Sequence, residues 1–331
     1  MDIPFKCWPP LEAYAKLFPS KQFPGLFYYD YDQKSKPDNP VLILIHGLGD
    51  EADTWRHLIP LLGAAGYRIL APDMPGFGRS LVPRRSGIGS QRDAVLELAE
   101  TVSKNSQRGV ILIGSSMGAA VAEAAVLAEY ALQERQNKKK LPNNDGLPPK
   151  PLPRIKALIL LNGCFPVEST GTSKLIFSAL PFVGKKWYRS FRADPERAWR
   201  SLFSYYADIH SLHEEDKDFL RTRVMDRVFS RSQERAYFST LRSMIFQSMR
   251  SSHYLRIGSW PRKIALIWGE KDQILPKTLT ESFIKLRGNS PTEVSIIPDA
   301  GHLPHQEKPE ETAKAILVFI KTLELVKNSV S

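Results

Sequence analysis

The chain has 331 residues, of which 42% are apolar and 24% charged, an ordinary globular composition that excludes a disordered or fibrous protein. Its longest purely apolar runs, such as Val41 to Ile45, fall far short of the roughly 20 residues of a membrane-spanning helix, so no integral membrane segment is expected. The formal charge of +11 raises the question of a nucleic-acid or anionic-surface partner, but between Cys164 and Arg262 about 17 basic residues are scattered among 10 acidic ones without a dense polybasic block, which predicts a solvated basic surface and no nucleic-acid partner.

The chain opens on Met1-Asp2-Ile3-Pro4-Phe5-Lys6, which lacks the basic and apolar regions of a secretory signal, so a cytoplasmic protein is expected. The two cysteines, Cys7 and Cys164, lie too far apart in sequence to suggest a disulfide framework or a metal-ligand spacing. Phe27 to Tyr31 predicts an antiparallel edge strand. Val41 to Ile45 predicts a central parallel strand, because it is apolar on both faces. Thr54 to Ala65 carries Trp55, Leu58, Leu61 and Leu62 at helical spacings, and Tyr67 to Ala71 reads as the next strand. A helix over about Gln91 to Lys104, a strand over Gly109 to Ile113 and an alanine-rich helix from Met117 to about Gln133 follow. Strands at Ile155 to Leu161, Lys263 to Trp268 and Glu293 to Ile297, with helices at about Pro276 to Arg287 and Pro309 to Val326, complete the alternation of a helix-covered, mostly parallel sheet.

Two segments break this rhythm. Residues 136–154 combine Lys138-Lys139-Lys140 with repeated Pro, Asn and Gly, which predicts a flexible surface insertion. Residues 164–261 carry no strand pattern but helical ones at Lys185 to Tyr206, Glu214 to Phe229 and Gln233 to Met249, as an inserted helical cap would. The chain thus divides into an N-terminal core part (1–163), the cap, and a C-terminal core part (262–331). The cap is rich in aromatic residues, among them Phe177, Phe182, Trp187, Tyr188 and Tyr205; most are expected in its core, with Trp187 as a substrate contact.

The chemistry sits at strand ends. Gly114-Ser115-Ser116-Met117-Gly118 matches G-x-S-x-G with a strand running in and a helix leading out, the setting in which the pattern presents a nucleophile. The spacing between the glycines selects Ser116, and the Met117 N–H, opening a helix, suits a developing oxyanion. A serine hydroxyl needs a base. His302 follows the last strand on a loop, whereas His305 is expected to pack its loop, His46 to shape a glycine-rich turn, and His57, His210, His213 and His253 to lie on helices or in the cap. The base needs a carboxylate to fix its tautomer. Asp272, beyond the Lys263 to Trp268 strand, is the candidate ahead of Glu270, and Asp299 is too near His302 along the chain.

Four blocks, His46-Gly47-Leu48-Gly49-Asp50, Asp73 to Ser80, the serine turn and Asp299-Ala300-Gly301-His302, resemble the α/β-hydrolase superfamily over about residues 25–327. The resemblance implies an α/β-hydrolase fold and a second oxyanion amide at Leu48. It marks Phe77 in the Asp73 block as a pocket wall. It also implies a serine hydrolase that cleaves an ester-like bond in a small or medium, largely apolar substrate through an acyl-enzyme, with no cofactor and no metal. Epoxide hydrolases and haloalkane dehalogenases of this fold use an aspartate as nucleophile, so Ser116 argues against both. Carbon–carbon bond hydrolases and peptidases of the same fold keep the serine, and a hydrolase-like small-molecule receptor or scaffold with little turnover is the alternative from another class.

Overall fold

The computed structural model describes residues 6–103, 109–138, 155–163 and 181–328. Cys164, Phe177 and residues 139–154 of the expected insertion lie outside them, as does the side chain of Phe182. Eight strands form one sheet: β1 (Ala15–Phe18), β2 (Leu26–Tyr31), β3 (Val41–Ile45), β4 (Ile69–Pro72), β5 (Val110–Ser115), β6 (Ile155–Leu161), β7 (Ile264–Gly269) and β8 (Thr292–Ile297). Their spatial order is β1-β2-β4-β3-β5-β6-β7-β8. β2 runs antiparallel to β1 and β4, and every pairing from β4 to β8 is parallel. The segment at Phe27 to Tyr31 is antiparallel as expected but is not the edge. β1 lies outside it, a four-residue strand whose Lys16 reaches Asp30 Oδ2 at 2.6 Å. A short, lysine-bearing strand suits an edge, because it discourages pairing with another chain.

The alternation of side chains along each strand separates two cores. Val41, Ile43 and Ile45 of β3 point into one, and Leu42 and Leu44 into the other. The first core is closed by α2 (Ile88–Ser103), α3 (Met117–Lys138) and α9 (Thr278–Arg287), which contribute Leu98, Val121 and Phe283. The second is closed by α1 (Leu58–Ala64) and by α11 (Pro309–Asn328), which follows the short α10 (Pro304–Glu307), with Leu58, Leu62, Ile316 and Phe319. Both faces of the central strands are therefore covered, which is why β3 and β5 are buried at every position.

The helix expected over Thr54 to Ala65 is divided into a 3-10 turn at Ala52–Trp55 and α1. Pro60 explains the restart: without an N–H it is tolerated only in a first turn. Between β6 and β7 the inserted region holds α4 (Pro181–Ala193), α5 (Pro195–Arg200), α6 (Glu214–Phe229), α7 (Arg231–Ser248) and α8 (Ser251–Gly258). The single helix expected over Lys185 to Tyr206 breaks at Asp194, which is extended (φ −137°, ψ 92°) and caps α5 by accepting from the Arg197 N–H at 3.1 Å. Pro195 forces that break, since the residue before a proline is pushed out of the helical region. Among the described residues no helix is long and apolar enough to cross a membrane.

Candidate active site

The C-terminal ends of the parallel strands converge on one edge of the sheet, where open α/β folds place their ligands. At the end of β5, Ser116 adopts φ 52°, in the left-handed region that a non-glycine residue enters only when its surroundings compel it. Here the compulsion is packing. A Cβ on Gly114 would stand 2.3 Å from the Gly118 oxygen, and one on Gly118 would stand 2.0 Å from the Ile45 oxygen, so the first glycine lets α3 fold back against β5 and the second lets it approach β3. The turn is further fixed by the Ser116 N–H donating to Leu161 O at 2.9 Å and the Ala119 N–H donating to Ser116 O at 3.0 Å. Met117 is the first residue of α3, where an N–H has no partner within the helix.

Beyond β8 the chain reaches His302, whose N–H donates to Tyr205 O at 2.8 Å and whose ring meets the Tyr205 ring edge to face. His302 Nδ1 lies 2.8 Å from Asp272 Oδ2, and both side chains are buried. A carboxylate only accepts, so Nδ1 carries the proton and Nε2 is left with its lone pair. His302 Nε2 is buried without a hydrogen-bond partner among the described residues. Asp272 is itself held from two sides. Its Oδ1 accepts from the N–H groups of Ile274 and Leu275 at 2.8 and 3.0 Å, and its Oδ2 accepts from Asn162 Nδ2 at 2.7 Å. Asp299 lies elsewhere, paired with Lys271 at 2.5 Å on the surface, and that lysine holds its carboxyl below the usual range.

Asn162, at the end of β6, was not among the residues anticipated. It is fully buried, has φ 46°, and its Oδ1 accepts from the Gly269 N–H at 3.2 Å while its amide reaches Asp272. It ties the ends of β6 and β7 together beneath the His302–Asp272 pair. The available signal was a lone polar residue closing an apolar run before a glycine, in Leu160-Leu161-Asn162-Gly163.

The His46-Gly47-Leu48 loop after β3 is secured by His46, whose Nε2 accepts from the Met74 N–H at 2.8 Å and whose Nδ1 lies 2.7 Å from Gly47 O. Burial holds the ring's pKa below its ordinary value, which suits a neutral tautomer that accepts at Nε2 and donates at Nδ1. Asp73 binds the adjoining loop, accepting from the Ala52 N–H at 2.7 Å and from Arg79 at both oxygens. His305 packs on Trp55 and bonds to Thr54 Oγ1 at 2.9 Å; burial drives its pKa down to about 3. His57 and His253 pair with Asp216 and Glu123.

A cavity of about 250 Å³ lies between the sheet edge and the inserted helices, and Ser116, His302, Leu48 and Trp187 all line it. Phe77, expected as a pocket wall, does not. It is buried in the core beneath the loop with its ring edge against His46, because the loop around Asp73 turns inward. The lining is mainly apolar and aromatic, with Tyr188, Tyr205 and Tyr237 from the inserted region. Burial pushes the Tyr188 phenol up to about 12, so it stays neutral at physiological pH. Arg227 of α6 and Asp50 are the charged groups in the lining; Arg227 donates to Gly49 O and stands 3.7 Å from Asp50 Oδ1, so the inserted region clasps the loop that carries Leu48. One arginine among many gave no sequence signal for this contact. Among the described residues no group of three or more His, Cys, Asp or Glu side chains is arranged to hold a metal ion.

A sheet of this order, with an inserted helical region over a serine held in a left-handed turn, defines a class of proteins, and comparison with known proteins gives the family. A model of the Alpha/beta hydrolase family matches residues 42–315, and the chain belongs to that family. The uncharacterized hydrolase YugF of Bacillus subtilis is 24% identical over 299 residues, 89% of this chain and 94% of that protein. Epoxide hydrolase A of Mycobacterium tuberculosis is 49% identical over 51 residues, a local match that spans 15% of this chain and only 16% of that relative. Among solved structures, 2-hydroxy-6-oxo-6-phenylhexa-2,4-dienoate hydrolase from Rhodococcus sp. strain RHA1 superposes with a TM-score of 0.65 at 19% identity, over 93% of this chain and 98% of that one, a likeness of fold alone.

Proposed function

We propose that the protein is a serine hydrolase that cleaves an ester-like bond, with Ser116 as nucleophile, His302 as base, Asp272 as its orienting carboxylate, and the N–H groups of Leu48 and Met117 as the oxyanion hole. The observation that carries this reading is the Asp272–His302 pair, 2.8 Å apart, whose free Nε2 belongs to a residue lining the same cavity as Ser116. His302 Nε2 takes the Ser116 proton as Oγ attacks the carbonyl carbon, and the negative charge moves to the carbonyl oxygen between the two amides. Collapse of that intermediate expels the alcohol, lactone oxygen or thiol, which receives the proton from His302 and leaves an acyl group on Ser116. Water, deprotonated by the same nitrogen, then attacks the acyl carbon and releases the acid.

Residues 164–261 act as the cap, whose described residues line the cavity that holds Ser116 and supply Trp187 as a substrate contact. The apolar lining fits an acyl group, and the volume, below the roughly 300–1,000 Å³ of drug-sized pockets, fits a small one. Ser116 separates this chain from the aspartate chemistry of epoxide hydrolases, despite the local identity to one of them. The test is a panel of acyl esters, lactones and thioesters assayed with wild type and Ser116→Ala. Turnover of at least one class that disappears in the variant supports the reading; no Ser116-dependent turnover of any class contradicts it.

A further inference from the structure

We infer that the corner formed by α7 and α8 is a docking face for an anionic lipid bilayer. The interleaving of acids and bases in the inserted region stops at Glu234. From Arg235 to Gly269 the chain carries Arg235, Arg242, Arg250, Arg256, Arg262 and Lys263, and no acidic residue. Along α7 and its helical C-cap residue Met249, the residues Arg235, Ser239, Arg242, Phe246 and Met249 recur at intervals of four, three, four and three, so they share one face. The arginine end of that face borders a groove shared with Arg84 and Lys185, and the acid at the groove, Glu234, is already paired with Arg192 at 2.5 Å.

The other end of the face is apolar. Phe246, Met249 and Leu255 are 59%, 60% and 65% exposed, unusual for large hydrophobic side chains grouped within ten residues. Fraying does not explain them, because the corner is firmly mounted. Met244, Ile245, Tyr254 and Ile257 are buried on its inner side, Gln247 Nε2 donates to Ala120 O at 3.0 Å, and His253 Nε2 meets Glu123 Oε2 at 3.0 Å. Arg250 stands 4.3 Å over the Phe246 ring. Guanidinium groups set around protruding apolar tips match a surface of anionic headgroups over hydrocarbon: the charges meet phosphate while the tips enter the acyl boundary. A nucleic acid would engage the arginines but give Met249 and Leu255 nothing to bury against. This docking is independent of the reaction proposed for Ser116.

The test is co-sedimentation of the full chain with phosphatidylcholine vesicles, with and without phosphatidylglycerol, at low and high salt. Binding to the anionic vesicles, weakened by salt and absent from the neutral ones, is the expected result. An arginine at an anionic leaflet is worth about fivefold in partition coefficient, so Arg242→Glu with Arg250→Glu should lower binding by roughly twenty-five-fold or more. Phe246→Ser with Met249→Ser should remove the binding that survives at high salt. Both double variants change exposed side chains, and an unaltered melting temperature confirms that each is folded. Equal binding to neutral and anionic vesicles, no binding to either, anionic binding that the folded variants leave intact, or capture of a single-stranded oligonucleotide in place of vesicles would each overturn the inference.

Discussion

At Ser116 and Asn162 the backbone sits in the left-handed region, with φ of 52° and 46°; Ser116 lines the cavity, and Asn162 lies behind it against Asp272. Strain held at such positions is a recurrent feature of functional sites. At Ser116 it was legible in advance, because glycines at fixed offsets announce a tight turn; at Asn162 it was not, because a single asparagine after an apolar strand has many ordinary uses. Asn162 holds Asp272 without touching the reacting atoms, so Asn162→Ala should lower kcat by roughly tenfold to a hundredfold, as expected for losing a hydrogen bond to a charged group, with KM little changed. Steady-state kinetics on whichever ester is turned over would check this; an unaltered kcat would show that Asp272 needs no such brace. His305 makes a separate prediction about pH. Burial, with help from the nearby charge of Arg56, takes its pKa from 6.5 to about 3. Between those values the unfolded chain binds a proton that the folded chain refuses, so its contribution to stability is complete above about pH 6.5 and is lost as the pH falls toward 3. His305→Gln should therefore show a smaller fall in melting temperature over that interval than wild type.

Strands and flanking helices could be read from the sequence because their signals are strong and local: apolar runs for strands buried on both faces, and helical spacing for elements covering them. The misreadings fall where a tertiary or backbone constraint outweighs the pattern. β1 has four residues and a lysine, too short to register, and is held as a strand by its pairing with β2. The helix over Lys185 to Tyr206 keeps its periodicity through Pro195, yet the proline breaks it. How the inserted helices attach was also hidden, since the attachment is made by charged residues distant in sequence. Arg56 Nε and His57 Nε2 meet Asp216 Oδ1 of α6 at 2.6 and 2.8 Å. Although burial alone would raise it, these partners hold the Asp216 carboxyl down at about 2. Removing one member of a buried pair strands the other, so Asp216→Ala should cost about 3–5 kcal/mol. For a chain of this size that is a drop of roughly 4–7 °C in melting temperature, measurable by calorimetry. A drop near zero would mean that Arg56 finds another partner.

For the molecule as a whole, the proposed reaction assigns the chemistry to the sheet and the volume to the inserted region. The sheet edge carries Ser116, Asn162, Asp272 and His302 on separate strand ends, while Trp187, Tyr205 and Arg227 come from the insertion. Ser116, Asp272 and His302 follow motifs, whereas Asn162, Tyr205 and Arg227 depend on how strand ends and helices pack, which explains why the hydrolase family was readable from sequence and most of the pocket lining was not. If the small cavity sets the substrate, ester hydrolysis should favour short acyl chains and fall by about tenfold or more once the chain outgrows the space. Trp187→Ala should shift that limit toward longer chains, whereas an unchanged profile would place the acyl group elsewhere. The central claim, that Ser116 is an activated nucleophile, is tested most directly by reacting the protein with a fluorophosphonate and locating the adduct by intact and peptide mass spectrometry. A single adduct on Ser116, lost in Ser116→Ala and strongly slowed in His302→Ala, is the predicted result; a folded protein that stays unlabelled at Ser116, or labels elsewhere, would contradict it.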